Sequence, residues 1–178
     1  MKKDMSIVVR AAYFAAEKHK DQRRRDVDAT PYINHPLELA SILIDEAGVD
    51  DAITICAALL HDTIEDTNTT HEELAALFGK EIADIVVEVS DDKSLDPSTR
   101  KRLEQEHAPH LSERAKLVKL ADKTANIRDI ATMPPVGWTI ERKREYFEFA
   151  KVIATGAQDA SPQLFGVFMK DYETLVVK

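Results

Sequence analysis

Apolar side chains recur at helical spacing along nearly the whole chain, in blocks separated by prolines, glycines and charged runs. Ile7, Val8, Ala11, Ala12, Phe14 and Ala15 form a stripe that predicts a helix over about residues 5–19. Charged residues dominate 18–28, after which Pro31 and Pro36 fix a non-helical connection. Pro36 suits the first turn of a second helix that runs to about residue 47, where Gly48 stops it. A third helix is expected over residues 51–62. Ile53, Ile55, Ala57, Ala58, Leu59 and Leu60 make it apolar nearly all round, as befits the centre of a bundle. Thr70 and Glu73 fit a capping box ahead of a short helix that Gly79 ends. Further helices are expected over 82–89, 98–107, from the Ser112 cap to about 130, over 139–155 and over 161–177, with Pro134 and Pro135 breaking the chain before 139. No segment alternates convincingly with a period of two and none repeats. The expected fold is therefore all-α, a helical bundle forming one domain over residues 1–178.

Composition narrows the function. At 178 residues the chain can bury a substantial core without disulfides or a structural metal. Five glycines leave little room for a turn-rich β fold. A net charge of −8 argues against nucleic-acid binding, which needs a broad basic face, and makes any local basic cluster informative. Cys56 is the sole cysteine, cannot form an internal disulfide and reads as core. The first residues lack a signal-peptide pattern, and no apolar run is long enough for a membrane span, so a soluble, cytoplasmic protein is expected. Oligomeric state is not legible.

Candidate chemistry concentrates where the third helix ends, at His61, Asp62, Glu65 and Asp66. In a continuous helix Asp62, Glu65 and Asp66 would share one face near its C-terminus, disfavoured both by mutual repulsion and by the macrodipole. A bound cation would reverse both penalties. Two more candidates stand in apolar-flanked settings: His35, between prolines at a helix entrance, and Asp122, on the stripe of Leu117, Val118 and Ala121. A buried carboxylate there needs a partner or a cation. Singly, His35 suits a helix-entry role and Asp66 a turn. As a set, His35, His61, Asp62 and Asp122 offer two imidazoles and two carboxylates, compatible with Mn²⁺, Fe²⁺ or Zn²⁺. His19, His71, His107 and His110 lie in charged stretches and are expected at the surface. Lys18, Lys20, Arg23, Arg24 and Arg25 form the one dense basic cluster, suited to phosphate. Asn126 follows Asp122 by one helical turn and shares its face.

Four ordered blocks carry a resemblance: His19-Lys-Asp-Gln-Arg-Arg-Arg25, Thr30-Pro-Tyr-Ile-Asn-His35-Pro36, Ala57-Ala-Leu-Leu-His61-Asp62-Thr-Ile-Glu65-Asp66-Thr67 and Lys116-Leu-Val-Lys-Leu-Ala-Asp122-Lys-Thr-Ala-Asn126-Ile-Arg128. Together they resemble the HD-domain metal-dependent phosphohydrolases. The narrower likeness is to the hydrolase domain of the RelA/SpoT alarmone enzymes and its stand-alone Mesh1-like form, over about residues 7–155. The resemblance implies an HD-type helical fold, with Mn²⁺ held by His35, His61, Asp62 and Asp122. It implies that Glu65 and Asp66 position and activate the attacking water, and that Arg24, Arg25 and Asn126 contact a small nucleotide substrate. The implied reaction removes pyrophosphate from the 3′ position of (p)ppGpp, leaving GDP or GTP; a synthetase activity is not expected. The chain departs from the family at Asp21, where glycine is common, at Arg25-Asp26, in place of Lys-Ser, and at Thr124-Ala125, where bulkier residues are usual. These changes fall on the nucleotide pocket. The alternatives are the same chemistry on (p)ppApp, another HD-type nucleotide phosphohydrolase or NADPH phosphatase, and a non-catalytic alarmone-binding module.

Overall fold

The computed structural model describes residues 2–176. Its α-helices are α1 (Lys2–Lys18), α2 (Asn34–Ser41), α3 (Ala52–Leu60), α4 (Thr63–Asp66), α5 (His71–Phe78), α6 (Lys80–Val89), α7 (Pro97–His107), α8 (Glu113–Thr132), α9 (Ile140–Gly156) and α10 (Pro162–Leu175). Among the described residues there is no strand, only an isolated bridge between Arg23 and Pro31. The fold is all-α, as the hydrophobic period requires, and no described helix is long and apolar enough to cross a membrane. Val177, the last position of the expected final helix, lies outside the described residues.

Two helices form the axis. α3 is buried from Thr54 to Leu60 and packs against α1, α2, α6 and α8. α8 packs in turn against α2, α3, α6, α9 and α10. The caps follow the sequence: Asp51 accepts from the Ile53 and Thr54 N–H groups, Thr70 from Glu73, and Ser112 from Ala115. Gly79, at φ 97°, makes the turn from α5 to α6 that a residue with a Cβ would resist. α2 begins at Asn34, with Pro36 in its first turn as expected, and continues as a π-helical turn, Ile42–Glu46, whose Glu46 carboxylate is gripped at 2.7 and 2.9 Å by the Arg128 fork.

The expected third helix does not run through Asp62. It stops at Leu60 because local side chains take its last carbonyls: His61 Nδ1 lies 2.8 Å from the Ala58 oxygen, and Thr63 Oγ1 donates to Leu60 at 2.7 Å. Asp62 then stands at the N-cap position of α4, with Glu65 and Asp66 in its only turn. The three carboxylates are therefore not on one continuous helix. Asp62 precedes this single turn, and Glu65 and Asp66 are its last two residues.

Candidate active site

The start of α2, the break between α3 and α4, and the middle of α8 converge on one buried point. Donor atoms of His35, His61 and Asp62 lie within 4.8 Å of one another. A carbonyl only accepts, so the 2.8 Å contact to Ala58 assigns the proton to His61 Nδ1 and leaves a lone pair on Nε2 of the neutral ring. That nitrogen is 2.8 Å from Asp62 Oδ2. Two acceptors so close require a proton or a cation between them. Burial pushes the His61 imidazole down, but the Asp62 and Asp122 carboxylates outweigh it and it ends above its ordinary value. Burial pushes Asp62 up; His61 more than compensates and holds it well below the carboxylate range. Asp62 also accepts a hydrogen bond from the Tyr32 hydroxyl.

Asp122 stands beside this triplet and joins it through His35, whose Nε2 is 3.2 Å from Asp122 Oδ1. The same oxygen accepts from Asn126 Nδ2 at 2.6 Å, across the expected helical turn. Asp122 Oδ2 is 2.9 Å from Lys123 Nζ, which also reaches Glu104 Oε1 at 2.8 Å. Burial pushes Asp122 up, but Lys123 and the imidazoles hold it well below the carboxylate range. His35 Nδ1 is buried without a partner, and burial pushes this imidazole below its ordinary value. His35, His61 and Asp62 bring two imidazoles and a carboxylate together, donors that suit the divalent metal the fold family implies, with Asp122 beside them.

Glu65 Oε2 accepts from the Asp91 N–H at 3.0 Å, and burial raises its carboxyl despite that bond. Asp66 accepts from Gln22 Nε2 at 2.7 Å on one oxygen and pairs with Lys93 on the other. His19, expected at the surface, is 2 % exposed. The end of α1 tucks its ring against Tyr32, centroids 4.9 Å apart, with Nδ1 2.6 Å from Gln22 Oε1. His71 is half-exposed and pairs with Asp84, while His107 and His110 are exposed as expected.

Above the buried point opens a cleft of about 390 Å³. Of the sequence candidates, Arg24, Arg25, His35, Asp66 and Asn126 line it; His61, Asp62, Glu65 and Asp122 do not. Trp138 and Tyr146 form an aromatic wall, centroids 5.9 Å apart. The basic loop is closed by the Arg24 N–H donating to Thr30 at 2.9 Å and the Tyr32 N–H to Gln22 at 3.2 Å. Buried Asp26 accepts from the Thr30 hydroxyl at 2.7 Å and from loop N–H groups. Arg24 is half-buried, 5.8 Å above the Tyr32 ring, and pairs with Asp129; Arg25 is exposed. The Arg25 carbonyl accepts from the Val136 N–H at 2.9 Å, tying this loop to the one that carries Trp138.

An all-α bundle with a His/Asp donor cluster beneath an arginine-lined cleft defines the class, a helical hydrolase centred on a His-Asp pair. Residues 11–146 match the family model described as HD domain. Guanosine-3′,5′-bis(diphosphate) 3′-pyrophosphohydrolase MESH1 of Xenopus tropicalis is 52 % identical over 166 residues, covering 93 % of each chain. The human enzyme of that name is 52 % identical over 157 residues, covering 88 % of each. A solved structure described as a metazoan ortholog of SpoT that hydrolyzes ppGpp superposes with a TM-score of 0.91 at 41 % identity, covering 94 % of each chain. The chain belongs to the HD-domain family, among its Mesh1-like hydrolases.

Sequence reasoning missed Tyr32, Gln22, Lys93 and Lys123 as neighbours of the site. The first two lie inside the blocks that carried the resemblance and Lys123 adjoins Asp122, so proximity in sequence was the available signal. Lys93 carried none.

Proposed function

We propose that this hydrolase cleaves the 3′-pyrophosphate from (p)ppGpp, giving GDP or GTP and pyrophosphate, with Mn²⁺ held by His35, His61, Asp62 and Asp122. The observation that carries the reading is the gathering of His61 Nε2, Asp62 Oδ2 2.8 Å away, and a His35 nitrogen within 4.8 Å, beneath an arginine-lined cleft. Mixed imidazole and carboxylate donors suit Mn²⁺. When bound, the ion supplies Lewis acidity that polarises the scissile phosphate and lowers the pKa of the attacking water.

The side chains divide the remaining work. Arg24 and Arg25 grip the polyphosphate, and Arg24 must exchange its Asp129 partner for phosphate oxygens. Asn126, held against Asp122, orients the ribose. Glu65 takes the proton from the attacking water, since its buried carboxyl is the more basic for being raised. Asp66, fixed by Gln22 and Lys93, orients that water. The new bond forms from water oxygen to the 3′ phosphorus; the bond from phosphorus to the ribose 3′ oxygen breaks, and that oxygen leaves with the electron pair and takes up a proton. The proposal extends to one domain over residues 1–178, acting in the cytoplasm on a small nucleotide and not on nucleic acid, which the net charge of −8 disfavours.

The test is turnover of ppGpp by the Mn²⁺-loaded protein in ¹⁸O-labelled water, paired with metal analysis. Pyrophosphate carrying the label is expected, and His61→Ala should lose bound metal while keeping its helical circular dichroism. Stepwise orthophosphate as the labelled product would make the enzyme a phosphatase and reject this reading.

A further inference from the structure

Three imidazoles are buried among the described residues, and His19 is the one outside the candidate metal site. It lies just past the end of α1, is 2 % exposed and does not line the cleft. Two residues against its ring do line it. Tyr32, with centroids 4.9 Å apart, donates its hydroxyl to Asp62. Gln22 meets His19 Nδ1 through Oε1 at 2.6 Å and donates from Nε2 to Asp66 Oδ2 at 2.7 Å. A chain of side chains thus runs from a residue shut away from solvent to a carboxylate of the acidic pair.

Chemistry fixes the direction of each bond in that chain. An ionised carboxylate only accepts, so the end of the Gln22 amide that faces Asp66 is its NH2 group. The other end is then the carbonyl oxygen, which also only accepts. The proton between it and His19 therefore belongs to Nδ1. The far nitrogen agrees: Nε2 is buried with no hydrogen-bond partner among the described residues, a place that suits a lone pair better than an orphaned N–H. Reversing the amide would turn its oxygen on the Asp66 carboxylate and leave an orphaned N–H at Nε2. One orientation satisfies both neighbours. The remaining oxygen of Asp66 pairs with Lys93, whose side chain is 49 % exposed, and an ion pair held in solvent restrains weakly. α4, which carries Asp66, is a single turn. Gln22 is thus the firmer tether on Asp66, and His19 anchors that tether.

We propose that His19 is a positioning residue for hydrolysis, its Nδ1–H holding the Gln22 amide so that Asp66 stays aimed at the attacking water. The inference rests on the nucleotide-hydrolase reading above and adds to it a residue that touches neither nucleotide nor metal. Its effect belongs in the rate. A misaimed Asp66 slows attack, whereas the arginines that bind the polyphosphate keep the backbone bonds of their own loop.

The test pairs the kinetics of ppGpp hydrolysis with ¹⁵N NMR of the histidine-labelled wild type. His19→Ala should lower kcat about tenfold, the worth of one hydrogen bond, with KM little changed. His19→Asn, whose amide nitrogen falls near the place of Nδ1, should recover most of the rate. His19→Gln, whose nitrogen falls near the place of Nε2, should not. In a Gln22→Ala background His19→Ala should cost nothing further, because the two act as one unit. The wild-type spectrum should show His19 protonated at Nδ1 and bare at Nε2. A proton on Nε2, equal rates in the Asn and Gln variants, additive losses in the double mutant, or an effect confined to KM overturns the assignment. Should His19→Ala fail to fold, the comparison of Asn with Gln and the wild-type spectrum still decide. If the wild type does not turn over ppGpp, the hydrolase reading fails, and the spectrum alone decides whether His19 anchors Gln22.

Discussion

Glu65 and Asp66 are neighbours with different freedom. Both oxygens of Asp66 are engaged by Gln22 and Lys93, whereas Glu65 is tied firmly only through the Asp91 N–H. Glu65→Gln should therefore lower kcat by about 10²–10⁴-fold, the usual effect of losing a general base, with metal content unchanged. Burial raises the Glu65 carboxyl, and a base acts only when ionised, so wild-type kcat should fall as pH drops through that raised value. The acid limb of the pH–kcat profile should vanish in Glu65→Gln; its persistence would assign the proton transfer elsewhere. The sequence exposed the His61-Asp62 pair because its members are adjacent, and Asp122 because a carboxylate on a buried stripe is anomalous. For Tyr32 and Gln22, whose hydrogen-bond partners lie 30 and 44 residues away, only their place inside the resembling blocks pointed to the site.

Helices and their ends carry the next level. Period and caps made most helices legible to within a residue or two. The stop at Leu60 was not, because it depends on His61 and Thr63 turning back onto carbonyls, which a count of apolar positions does not register. α7 was legible as a helix and not as a support. Its Glu104 reaches across to Lys119 at 2.9 Å and Lys123 at 2.8 Å on α8, and Lys123 in turn braces Asp122. Glu104→Ala leaves the buried Lys123 with Asp122 as its remaining partner and should cost about 1–3 kcal/mol in urea unfolding, as the loss of one charged hydrogen bond does. Burial pushes the Glu104 carboxyl up, but the two lysines hold it below its ordinary 4.5. The folded value is thus the lower one, and the pair's stabilisation is complete above the unfolded value and lost as pH falls through the folded one. The wild-type urea midpoint should drop on that acid side, with a slope that Glu104→Ala lacks.

For the molecule as a whole, the net charge of −8 repels the polyanion it is proposed to bind, while Arg23, Arg24 and Arg25 attract it at one mouth. The nearby arginines set the field at that mouth, and salt screens their attraction, so association is sensitive to salt. kcat/KM should fall from 50 to 300 mM salt, about the range over which screening shortens below 10 Å. Arg25→Ala should raise KM several-fold, change kcat little, and flatten that dependence; an unchanged salt slope would remove Arg25 from the encounter. The bonds that close the loop over residues 22–32, together with Asp26 beneath it, have a further consequence. The arginines stand on a frame whose conformational entropy was surrendered when the chain folded, so little ordering is left for the moment of binding. Capture should then be a single bimolecular step, its observed rate rising linearly with nucleotide concentration and reaching no plateau set by a slow rearrangement of the loop.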